Sequence, residues 1–158
     1  MDRIVRRYLK TALWGAAVVL LTTGSSFAQA IAADAESGTV SVDELLYSFQ
    51  KVVAEWPGLG RHIGLYLSIE NASQQAKEVC VSYADVVAFS GDGEDMRSDY
   101  EQVSLAGDIA TGKLCKVVPP GVRIVAAYGL HASNEPTSIQ YVQVNVGEAS
   151  LVLRDLSI

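Results

Sequence analysis

From Val42 to Trp56 the apolar residues Val42, Leu45, Leu46, Phe49, Val52, Val53 and Trp56 recur three and four apart, which predicts an amphipathic helix over 42–56. Ser41 and Glu44 stand where an N-cap and its capping box belong, and Pro57-Gly58 supplies the stop. After Gly60 the period changes to two. Ile63, Leu65, Leu67 and Ile69 alternate with Gly64, Tyr66, Ser68 and Glu70, the pattern of a half-buried strand. Asn71 to Gln75 reads as a turn into a second run, Lys77 to Phe89, and two such strands across a short polar loop predict an antiparallel hairpin. Ser90 to Asp99 is polar and acidic. Short strands follow at Tyr100–Ala106 and Lys113–Val118, then at Val122–His131 after the break of Pro119-Pro120-Gly121. Ser138–Val146 and Ser150–Leu156, on either side of Gly147-Glu148, complete the series.

About seven short strands, with turn signals every 8–12 residues and one helix, predict a mainly β chain. The expected architecture is an antiparallel β-sandwich, immunoglobulin-like or similar, over 62–157 with the N-terminal amphipathic helix packed on it. The turn at Asn71 and the Pro-Pro-Gly before a strand resemble features of immunoglobulin-like secreted modules. The helix stripe must be covered in water, since each large apolar side chain gains about 1.5–3 kcal/mol on burial. Packing on a sheet is the expected cover; docking on a partner or on the membrane is the other, and the mainly acidic polar face weighs against the membrane.

The N-terminus reads as a signal. Arg3, Arg6, Arg7 and Lys10 precede an uncharged stretch, densest in apolar residues from Ala12 to Leu21, that ends in Ala28-Gln29-Ala30. A basic head, an apolar middle and a small-x-small end are the order of a cleaved secretory signal, here residues 1–30. An uncleaved anchor is the alternative. The Arg6-Arg7 pair fits a twin-arginine signal only loosely. Residues 31–40 read as a flexible leader and 41–158 as one globular domain. Cleavage after Ala30 takes four basic and one acidic side chain from totals of 12 and 18, so the mature balance is −9 rather than −6. Such an acidic domain repels phosphate backbones, which makes nucleic acid and anionic lipid poor partners and argues against stable membrane insertion. Two cysteines, Cys80 and Cys115, in an exported domain predict one disulfide.

Catalytic motifs are missing. There is no GxSxG elbow, and Gly58-Leu59-Gly60 lacks phosphate-loop context. His62 and His131, at the start and end of two strands, could meet in space and make half a zinc site. Asp92, Glu94, Asp95 and Asp99, with Gly91 and Gly93 allowing sharp turns, are the weak calcium candidates, although their spacing does not follow the EF-hand order. Asn71-Ala72-Ser73 is a glycosylation sequon. Tyr66, Tyr141, Gln143 and Asn145 lie opposite the apolar faces of their strands, so adjacency of those strands would join them into one polar, aromatic binding face. No cofactor is expected. The leading expectation is a non-catalytic exported module, periplasmic or secreted, that binds another envelope or extracellular protein or a glycan. The alternatives are a structural subunit of an envelope assembly and a small hydrolase whose site is assembled from distant residues.

Overall fold

The computed structural model of the protein describes residues 38–54, 62–97, 101–132 and 136–158. The signal expected over 1–30 lies outside them. Eleven strands run in chain order as β1 (Thr39–Val42), β2 (Leu45–Val53), β3 (His62–Asn71), β4 (Lys77–Ser82), β5 (Val86–Ser90), β6 (Gln102–Leu105), β7 (Asp108–Thr111), β8 (Lys113–Val118), β9 (Arg123–His131), β10 (Ser138–Val146) and β11 (Ala149–Ser157). They form a six-stranded sheet β1-β2-β3-β9-β6-β7, a three-stranded sheet β11-β10-β5 and a two-stranded ribbon β4-β8, with every pairing antiparallel. Inward residues of all three share one core: Leu65, Leu67 and Ile69 of β3, Val142 and Val144 of β10, Leu151 and Leu153 of β11, and Val79 and Val81 of the ribbon. This is an antiparallel β-sandwich. Among the described residues no helix is long and apolar enough to cross a membrane.

The helix expected over 42–56 is instead a β-hairpin as far as the description reaches. Asp43 and Glu44 both take positive φ, 50° and 62°, the mark of a two-residue hairpin turn whose twist matches the flanking strands. The apparent capping box is therefore a turn. The helical spacing has a local origin. Leu45, Tyr47 and Phe49 alternate toward the core, a bulge falls between Phe49 and Lys51, and Val52 then packs against the core as well. The bulge sets Phe49 and Val52 three apart, and half-buried Leu46 and Val53, which are not among the core residues, complete the three-and-four spacing. The leader also ends earlier than expected. Val40 is a 2% exposed core residue, and the Phe49 N–H donates to the Gly38 carbonyl at 2.7 Å.

The expected hairpin between the strand at 63–70 and the run 77–89 does not form. β3 is flanked by β2 and β9, and β4 pairs with β8 in the ribbon. Asn71, fully buried, redirects the chain. Its Nδ2 donates to the carbonyls of Gln75 (2.7 Å) and Val118 (2.8 Å), and its Oδ1 accepts from the Ser73 N–H (3.0 Å) and hydroxyl (2.7 Å). The loop wraps around this amide instead of folding back along β3. The run 77–89 is itself divided by a 3₁₀ turn, Tyr83–Asp85, capped by the Ser82 hydroxyl, which accepts from the Ala84 N–H.

Candidate functional site

The outward face of β11-β10-β5 is built by alternation. A bulge between Ile139 and Tyr141 lets both Ile139 and Val142 enter the core, and leaves Tyr141, Gln143 and Asn145 half-buried on the other side. Their partners follow from the turn at Gly147-Glu148: Asn145 faces Ser150, Gln143 faces Val152, and Tyr141 faces Arg154. On the far side of β10, Phe89 faces Tyr141 and Val87 faces Gln143.

The polar members are hydrogen-bonded in sequence. The Tyr141 hydroxyl donates to Gln143 Oε1 at 2.5 Å, and Gln143 Nε2 donates to Asn145 Oδ1 at 2.8 Å. The Ser150 hydroxyl donates to the same Asn145 oxygen at 2.8 Å and accepts from Gln143 Nε2 at 3.3 Å. With Oδ1 taking two donors, Asn145 turns its amide nitrogen away from this ladder, and no hydrogen bond among the described residues uses it. The Tyr141 ring lies 6.4 Å from that of Phe89, tilted by 45°, and the Arg154 guanidinium sits 5.2 Å from its centroid. The face thus offers amide and guanidinium donors, a phenol oxygen and flat apolar area. Along the Val87 edge runs an open groove of about 770 Å³, lined also by Ser82, Tyr83, Asp95, Arg97 and Glu101.

Tyr66 does not join this face. It points outward from β3, in the six-stranded sheet, where Lys51 lies 5.2 Å from its ring centroid. The expected union of Tyr66 with Tyr141 fails because their strands belong to different sheets. Gln143 and Asn145 do join Tyr141. Phe89 and Arg154 were missed, although counting outward from the Gly147-Glu148 turn places Arg154 opposite Tyr141.

The acidic loop is bonded within itself. The Ser90 hydroxyl donates to Asp92 Oδ1 and accepts from the Glu94 N–H at 3.0 Å. Arg97 donates its Nε to Asp95 Oδ2 at 2.9 Å, and this bond holds the Asp95 carboxyl below its ordinary range. Asp99 lies outside the described residues. His62 and His131 do meet, as register partners with ring centroids 4.9 Å apart. No group of three His, Cys, Asp or Glu side chains placed to hold a metal occurs among the described residues. The Cys80–Cys115 disulfide is present, across β4 and β8. The sequon is occupied by structure: Asn71 is 0% and Ser73 4% exposed, with the amide spent on the bonds above.

Comparison with known proteins finds no matching family model and no curated relative. Among solved structures, the chain is similar to an uncharacterized β-sandwich protein from Clostridium difficile, at 12% identity and a TM-score of 0.49, covering 80% of this chain and 95% of that one. It is also similar to a secreted protein from Mycobacterium tuberculosis, at 13% identity and a TM-score of 0.45, covering 82% of this chain and 98% of that one. With both scores below 0.5, the β-sandwich assignment stands on the strand pairing and common core of the chain itself.

Proposed function

We propose that the chain is an exported, non-catalytic β-sandwich module that binds another envelope protein or a glycan through the outward face of β11-β10-β5. The observation that carries this reading is the pre-ordered ladder of Tyr141, Gln143, Asn145 and Ser150 beside the Phe89, Tyr141 and Arg154 side chains. Side chains already fixed by neighbours lose little freedom on binding, and tyrosine with arginine supplies the contact area and directional donors typical of binding hot spots. The basic, apolar and small-residue order of the first thirty residues and the disulfide support export to an oxidising compartment. The helix stripe that could have joined an envelope assembly is absent where the structure describes it, since Leu45 and Tyr47 are buried in β2.

The test is capture from an envelope extract of the host. The wild-type domain, a Tyr141→Ala/Gln143→Ala variant and a Tyr66→Ala variant serve as baits, each checked for folding by circular dichroism. The expected result is a specific protein or glycan retained by wild type and Tyr66→Ala and lost by the double variant. Retention by the double variant, or capture by none of the three, would overturn the reading.

A further inference from the structure

The two-stranded ribbon places its disulfide in the open. Its inward face carries Val79, Val81 and Val118, all buried. Its outward face carries three register pairs in a row: Glu78 with Val117, Cys80 with Cys115, and Ser82 with Lys113. Cys115 is exposed, Cys80 is half-buried, and Val117 beside them is 67% exposed. A buried bridge must wait for unfolding before a thiol can reach it. Exposed bridges are the labile ones. Here Cys115 is open to solvent with the fold intact.

Two further features bear on exchange. Lys113 shares the outward face, two residues from Cys115 and diagonal to Cys80, where its ammonium attracts an incoming thiolate, while Glu78, two residues from Cys80 and diagonal to Cys115, opposes it from the other side. The ribbon is also held without the bridge. Six register pairs join its strands, Asn71 Nδ2 donates to the Val118 carbonyl at 2.8 Å, and Lys116 pairs with Asp108 of β7 at 2.7 Å. Reduction would leave the two thiols facing each other, ready to close again.

We propose that Cys80–Cys115 is a thiol-exchange site of the folded protein, whose substrates are small thiols and dithiols. In the first step a thiolate forms a bond to Cys115 Sγ, the Sγ–Sγ bond breaks, and Cys80 leaves as a thiolate that takes a proton from water. In the second step another thiolate attacks the mixed disulfide, releasing Cys115 as a thiolate and the reductant as its own disulfide. Two reductant thiols are oxidised and the cysteine pair gains two electrons.

The experiment incubates the purified, oxidised chain with millimolar reduced glutathione in native buffer, quenches with acid, alkylates and reads intact mass over time. The rate should be within about tenfold of that for the urea-unfolded chain, and independent of urea below the unfolding transition. Lys113→Glu should slow the reaction with anionic glutathione by about fivefold or more, and slow less the reaction with cysteamine, whose attacking thiolate carries no net charge. A native rate a hundredfold or more below the unfolded one, or a rate that climbs with urea as the unfolded fraction does, would overturn the proposal. Equal effects of Lys113→Glu on the two thiols would remove Lys113 from it.

Discussion

Asn71→Ala removes the amide on which three segments converge: the end of β3, the loop to β4 and the end of β8. Four hydrogen bonds of 2.7–3.0 Å are lost from a fully buried residue. At about 1 kcal/mol net for each, the loss is about 4 kcal/mol. The Gln75 carbonyl keeps a partner, because the Ser73 hydroxyl also donates to it at 2.7 Å. The Ser73 N–H has no such second partner among the described residues and loses its acceptor. The expected cost is therefore about 3–5 kcal/mol, a large share of the 5–15 kcal/mol by which a domain is ordinarily stable. Urea unfolding of the oxidised protein, followed by far-ultraviolet circular dichroism, should show a midpoint lower by about 2 M at an m-value of about 2 kcal/mol/M. Asn71→Asp keeps the acceptor oxygen but turns a carboxylate toward two carbonyls. It should be at least as unstable at neutral pH and recover in part on acidification. A cost below about 1 kcal/mol for Asn71→Ala would refute the reasoning, because water would then replace the amide without loss.

The remaining predictions concern the bridge and one acid. Closing a loop with a sequence separation of 35 restrains the unfolded chain by about 4 kcal/mol in the entropy model, so Cys80→Ser/Cys115→Ser should lower stability by up to that amount while leaving the domain folded; an unchanged urea midpoint would contradict this. Burial raises the Asp85 carboxyl above its ordinary value, against the opposing pull of the Ser82 backbone and Lys113. A raised folded value means that the protonated acid favours the fold and that this contribution is lost as pH rises through it. Asp85→Asn should therefore gain stability at pH 7, by less than about 1 kcal/mol after solvent screening, with the gain vanishing below the ordinary aspartate range. Thermal melts across pH decide it, and a variant less stable than wild type at pH 7 would contradict the sign.

Much of the fold is legible where local pattern and tertiary placement agree. The alternation in Ser138–Val146 and the turn at Gly147-Glu148 are enough to place Gln143, Asn145 and Ser150 on one side of the last hairpin. The disulfide follows from two cysteines in a chain that reads as exported. The stripe over 42–56 imitates a helix because a bulge beside Phe49 and the apolar residues Leu46 and Val53, outside the core, together give three-and-four spacing. Strand number was underestimated for similar reasons. The four-residue strand β7 looks like a spacer, and the Ser82 cap hides inside a continuous valine-rich run. Grouping Tyr66 with Tyr141 requires their strands to be neighbours, and they lie in different sheets. Which sheet a strand joins is decided by contacts far away in sequence, here by Asn71 turning β4 away from β3.

The place of β3 between β2 and β9 has a consequence for how the chain must be made. β2 is a near neighbour in sequence and is available to β3 almost at once. The other edge waits for β9, and even their closest register pair, Glu70 with Arg123, is 53 residues apart. Until β9 arrives, the strand bearing Leu65, Leu67 and Ile69 has one open edge and an uncovered apolar face. Contacts of such long range are formed slowly, and exposed strands of this kind are where newly made β proteins aggregate. Truncations that remove β9, Arg123–His131, should therefore yield insoluble protein rather than a smaller domain.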